Sequence, residues 1–81
     1  MAEPQDLELR IRTTIARALG KSVDDIDSSA AMGMTPGWDS MGHMNVVMEL
    51  ESEFKCSFPA YRLPELSDIA AVARIVREMQ G

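Results

Sequence analysis

The side chains of this 81-residue chain that could do chemistry gather in the run Pro36-Gly37-Trp38-Asp39-Ser40, with His43 three positions beyond the serine and Cys56 further on. A serine there can be a nucleophile, a modification site or a helix cap, since Asp39 and Ser40 both carry the oxygen acceptor that an N-cap needs. An esterase arrangement fails on spacing. The glycines stand at Gly37 and Gly42, giving G-x-x-S-x-G instead of the G-x-S-x-G elbow, and no strand pattern precedes them. His43 shares a helix with Ser40, but no orienting carboxylate or oxyanion donor is evident, so it reads as a polar residue on the helix rim. Cys56 has only Lys55 as a basic neighbour and reads as an inert, partly packed thiol. One Cys and one His cannot make an internal disulfide or a four-ligand zinc site, so the chain is expected to be metal-free.

The elements that must position these residues follow from apolar spacing. Leu7, Ile11, Ile15 and Leu19 recur at helical intervals, which predicts about four turns, with Pro4 in the first turn and Gly20 ending the helix. Residues 21–37 carry aspartates, serines and Pro36-Gly37 without sustained periodicity, and form a long loop with one turn pinned by Val23 and Ile26. Asp39 or Ser40 caps a second helix that runs to about Lys55. At 100° per residue its apolar arc is Met41, Met44, Val47, Met48, Leu50 and Phe54, with Gly42, Asn45, Glu49, Ser52 and Glu53 opposite. Glu51 falls inside that arc, so either its stem snorkels or the helix rolls. Residues 60–66 allow a turn or two of helix. Ser67 caps the last helix, with Asp68 near its positive end, and Ile69, Val72, Ala73, Val76 and Met79 form the buried stripe. No strand signal or internal repeat is visible. The expectation is an all-α architecture of three main helices plus one short helix, with a long loop between the first and second.

Composition narrows the function. With 46% hydrophobic and 26% charged residues, 1–81 reads as a single domain with a core at about 5–80. A chain this size buries only about 60% of its unfolded surface, so a self-sufficient enzyme is not expected. The net charge of −5 argues against nucleic acid. No run reaches the roughly 18 residues of a membrane span, and Met1-Ala2-Glu3-Pro4 lacks the order of a signal peptide, which places the protein in the cytoplasm. Residues 22–58 hold seven acids against Lys55 alone. That acidic centre is either a solubility device or a surface for a basic partner, and Glu49 and Glu53, four residues apart and away from the expected core, would present it.

Asp39-Ser40-Met41, then Met44, Val47, Met48, Glu49-Leu50-Glu51 and Phe54, then Phe58-Pro59, resembles the acyl carrier protein family. The likeness extends back to Asp24-Asp25-Ile26-Asp27 and forward through Leu66, Ile69, Val72 and Val76, so it covers nearly the whole chain. The resemblance implies a small four-helix bundle and a non-enzymatic role. Ser40 would receive 4'-phosphopantetheine from coenzyme A, and the thiol of that arm would carry acyl groups as thioesters. The implied partners are a phosphopantetheinyl transferase, an acyl-loading enzyme, and a ketosynthase, acyltransferase or other acyl-processing enzyme, all served by a monomer. A hydroxyl in the first turn of a helix, at the end of a flexible loop, is accessible to such a transferase. The helix dipole would favour the added phosphodiester.

Five of the seven methionines lie at 32, 34, 41, 44 and 48, and either line a shelter for an acyl chain or fill the core. The expected acyl-chain pocket is Met44, Val47, Met48, Phe54 and Ile69, and the expected recognition set is Trp38, Asp39, Met41, Glu49 and Glu53. Trp38 either contacts partners or packs its loop. Gly42 stands where primary fatty-acid carriers usually have an acid, and Met41 where they have Leu. The run from Gly37 to Met44 is more similar to discrete carriers of polyketide or specialised acyl pathways. Peptidyl or aminoacyl carriers, which more often have Gly-Gly before the serine, form an alternative branch. A non-covalent helical adaptor docking a basic partner is the alternative from another class.

Overall fold

Proline at the first turn loses no hydrogen bond, and in the computed structural model of the chain, which describes residues 4–80 and side chains from Leu7 onward, α1 runs Pro4–Leu19. Met1, Ala2 and Glu3, on which the expectation about a signal peptide rests, lie outside the described residues. Gly20 ends α1 at φ +69, a left-handed conformation that glycine adopts without strain. Arg12 Nε donates to the Ile26 carbonyl at 2.6 Å and ties the following loop back to α1. Within that loop Val23–Asp25 form a 3₁₀ turn, at the place marked by Val23 and Ile26.

The second helix, α2, runs Ser40–Phe54 and ends on Lys55, which adopts a left-handed φ of 52°. A second 3₁₀ segment occupies Ala60–Glu65, and α3 runs Ile69–Gln80. Asp68, not Ser67, caps α3, because its Oδ1 accepts from Ala71 N at 2.8 Å. Among the described residues there is no strand, only one antiparallel bridge between Ala31 and Asp68. The architecture is the small all-α bundle expected from the helical spacing and from the resemblance.

The principal correction concerns the roll of α2. Its buried residues are His43, Val46, Val47, Leu50 and Phe54, whereas Met41 (83% exposed), Met44 and Met48 (63%) face outward. The expected arc was therefore displaced by roughly a quarter turn. Methionine fits core or surface, and counting it as core shifted the arc. On α3 the same kind of error exposes Met79, leaves Ala73 half-buried and omits Ala71 and Ile75, which are buried.

The roll turns Glu49 and Glu53 toward α1, which packs against both α2 and α3. Arg17 Nε meets Glu49 at 3.0 Å, Arg10 Nε meets Glu53 at 3.1 Å, and the Arg10 guanidinium lies over the Phe54 ring at 4.6 Å. Hydrogen bonding to Glu49 raises the Arg17 pKa above its ordinary value. The acids expected to face solvent thus line a helix seam. Glu51 neither snorkels into water nor sits unpaired, since its Oε2 accepts from Phe58 N at 2.8 Å and holds the chain as it leaves α2. Beneath the seams, Ile11, Ile15, Val46, Leu50, Leu66, Val72 and Ile75 are fully buried and form the centre of the core.

Candidate functional site

Asp39 takes the capping role at α2, with its Oδ1 accepting from Gly42 N at 2.8 Å and its carbonyl accepting from His43 N at 2.7 Å. Ser40 is left as an exposed first residue of the helix, outside the cap. Its hydroxyl therefore stands at the positive end of α2, where a phosphoester is electrostatically favoured.

The loop leading to it is braced, in contrast to the free loop expected. Gly33 N donates to the Trp38 carbonyl at 2.8 Å, Trp38 N donates to the Thr35 carbonyl at 3.0 Å, and Ala31 N donates to Thr35 Oγ1 at 3.0 Å. Met32 N reaches across to the Ser67 carbonyl at 2.8 Å, joining the loop to the entrance of α3. Gly37, at φ +87, lays its carbonyl against α2 so closely that a Cβ on Gly42 would collide with the oxygen. Gly42 is thus required by backbone approach.

Trp38 and His43 depart furthest from expectation. Trp38 is 1% exposed and presents no face to a partner, while His43, expected on the rim, is 6% exposed. The indole Nε1–H donates to His43 Nδ1 at 2.9 Å, with the rings 6.2 Å apart and 23° from parallel. Because indole nitrogen can only donate, Nδ1 is the unprotonated nitrogen, and Nε2–H donates to the Leu63 carbonyl at 2.8 Å. One neutral imidazole therefore joins the serine loop, α2 and the second 3₁₀ segment. The presence of the two residues is readable in the sequence, but their partnership depends on Leu63, twenty positions beyond His43.

The remaining expected site residues do not assemble as one group. Met41 and Asp39 flank Ser40 and are exposed, as are Met44 and Met48. Val47, Phe54 and Ile69 are buried, so the two methionines do not close an acyl-chain pocket with them. An open groove of about 340 Å³ lies elsewhere, along α1 where it meets α2, lined by Leu9, Arg10, Thr13, Thr14, Arg17 and Glu53. Burial, aided by the Glu51 carboxylate, pushes the Cys56 thiol above its usual range and keeps it protonated near neutrality. Among the described residues no group of three or more His, Cys, Asp or Glu could hold a metal, and no helix is long and apolar enough to cross a membrane.

Residues 9–76 match the protein family described as "Phosphopantetheine attachment site". Similar proteins include "Non-reducing polyketide synthase pks11" of Talaromyces marneffei, 30% identical over 77 residues, which are 95% of this chain and 3% of the synthase. The chain thus spans a small fraction of that relative's length. A "Probable acyl carrier protein" of Caulobacter vibrioides is 29% identical over 93% of this chain and 87% of its own length. An "Acyl carrier protein" of Rickettsia bellii is 24% identical over 96% and 91%.

Proposed function

The chain belongs to the phosphopantetheine-attachment family of acyl carrier proteins, carriers and not catalysts that bear a covalent 4'-phosphopantetheine, and from that premise we propose that Ser40 is the attachment residue. The observation that carries this is the division of labour at the α2 entrance. Asp39 supplies the capping oxygen, which leaves the Ser40 hydroxyl exposed on a fixed backbone. Ser40 Oγ forms a phosphodiester with the phosphopantetheinyl group of coenzyme A, the hydroxyl proton passes to a base on the transferase, and the adenosine bisphosphate portion departs. Once attached, the arm supplies a thiol that holds acyl groups as thioesters.

The partners in this reading are a phosphopantetheinyl transferase, an acyl-loading enzyme, and a ketosynthase, acyltransferase or other acyl-processing enzyme. Asp39 and Met41, exposed beside Ser40, are the residues of the expected recognition set that such enzymes can meet directly. Glu49 and Glu53 are assigned to the α1–α2 seam and Trp38 to the interior. The pathway is polyketide or specialised fatty-acyl synthesis, supported by the polyketide synthase segments of Talaromyces marneffei and Monascus ruber among the similar sequences. The carrier works as a monomeric single domain in the cytoplasm.

The test is covalent labelling. Incubation with coenzyme A and a broad-specificity phosphopantetheinyl transferase should add one phosphopantetheine mass, mapped by peptide analysis to Ser40, and Ser40→Ala should stay unmodified. An unchanged wild-type mass, or a label on another residue, would sink the assignment.

A further inference from the structure

The Trp38–His43 pair invests two buried polar groups in a place where apolar side chains could fill the same space. Net stability is a poor explanation for it, because a satisfied buried hydrogen bond contributes little beyond a well-packed apolar replacement. What such a pair supplies is a single conformation, since breaking it strands the buried indole N–H away from water. The conformation it selects includes the attachment serine. Trp38 is separated from Ser40 only by Asp39, and its ring is tied to His43 on the first turn of the same helix. Asp39 caps Gly42 N from the intervening position, and the Gly37 carbonyl lies against Gly42. Three constraints therefore triangulate the entry of the chain into α2. The second bond of His43, to the Leu63 carbonyl, anchors that corner to the segment before α3.

We infer that His43 is a positioning residue for the modification of Ser40: its neutral ring holds Trp38 so that the exposed hydroxyl meets the transferase in one orientation. The inference rests on Ser40 being the attachment residue. His43 touches no reacting atom and acts through the backbone of residues 38–40. Small misplacements of a reacting group cost rate steeply even when binding contacts persist, so the loss belongs in kcat more than in KM.

The experiment compares wild type with His43→Leu, Trp38→Phe and His43→Asn as substrates of the transferase. Rates are taken below each variant's unfolding midpoint, with helicity checked by circular dichroism. His43→Leu and Trp38→Phe should lower kcat on the order of ten-fold with KM within about three-fold. His43→Asn places an acceptor oxygen near the position of Nδ1 and should restore kcat to within about three-fold of wild type. Trp38 is the only tryptophan, so its indole N–H gives an unambiguous NMR reporter. Its exchange should be slow in wild type and His43→Asn, and fast in His43→Leu. Folded His43→Leu and Trp38→Phe proteins labelled at the wild-type kcat would overturn the inference, as would rapid indole exchange in wild type. If His43→Leu does not fold, Trp38→Phe and His43→Asn decide together, because Trp38→Phe removes the N–H donor along with part of the buried indole, whereas His43→Asn keeps the whole indole and an acceptor for it. Failure of the Ser40 reading has a separate signature, namely wild type unlabelled or labelled elsewhere.

Discussion

At the residue scale, two positions are set by what they touch, one beside the site and one past the far end of α2. Gly42 lacks a Cβ because the Gly37 carbonyl occupies the space, and Gly37 holds that carbonyl in place through a positive φ. Gly42→Ala should cost about 1–3 kcal/mol by overpacking, measured by urea denaturation, and a neutral result would refute the close approach. The contact also explains why an acid at this position, usual in primary fatty-acid carriers, is absent: any side chain would have to displace the loop. Cys56 is the second case. Burial first, and Glu51 second, disfavour its thiolate, so the fraction able to react near neutral pH is smaller in the fold than in an unfolded chain. Raising the pH should restore reactivity only beyond the ordinary thiol range. Iodoacetamide should therefore alkylate folded apo protein more slowly than the same protein in urea at equal pH, and equal rates would contradict the shift. Once the arm is attached, its thiol should react first and Cys56 second, which separates the two by mass spectrometry.

At the element scale, the roll of α2 separates two sets of apolar residues that look alike in the sequence. Phe54 is buried beneath the Arg10 guanidinium, whereas Met48 faces outward seven residues beyond Met41. Phe54→Ala should cost about 3–5 kcal/mol, a large share of what a small domain possesses. Met48→Ala should move stability by no more than about 0.5 kcal/mol. Comparable losses for the two would restore the methionine-centred arc and reject the observed one. The most exposed residues of α2 are Ser40, Met41, Met44, Asn45, Met48 and Ser52, so the middle of the face below the attachment serine is uncharged, with the partly exposed Glu49 at its edge. Its acids have been drawn into service elsewhere, Glu49 and Glu53 against α1 and Glu51 on the Phe58 amide.

At the scale of the whole molecule, the parts legible in the sequence are those decided locally. Pro4, Gly20 and Asp39 mark helix boundaries because a cap acts within a few residues, and the bundle follows from three amphipathic stretches with no strand pattern to compete. The exposure of Ser40 follows from the same local logic. The Trp38–His43–Leu63 chain was not legible, because its third member comes from a different segment, and neither was the roll of α2, because methionine suits core or surface and leaves the phase of the arc open. That second failure changes how the acidic middle of the molecule should be tested. Reversing Glu49 and Glu53 to lysine would set like charges against Arg17 and Arg10, so lower thermal stability and slower labelling would arise together and decide nothing. Exchanging the partners of one pair, Arg17→Glu with Glu49→Arg, keeps the attraction at that pair, gives up the longer Arg17–Glu53 contact at 3.5 Å, and moves a negative charge from α2 to α1. If the carboxylate of Glu49 serves the seam, the exchanged protein should melt closer to wild type than Glu49→Arg alone. It should also be labelled at Ser40 at the wild-type rate in low salt, where a charge-steered encounter would be most sensitive. Restored melting with labelling still slow at low salt and recovering as salt rises would instead show that a partner reads the charge on α2, and would return Glu49 to the recognition surface.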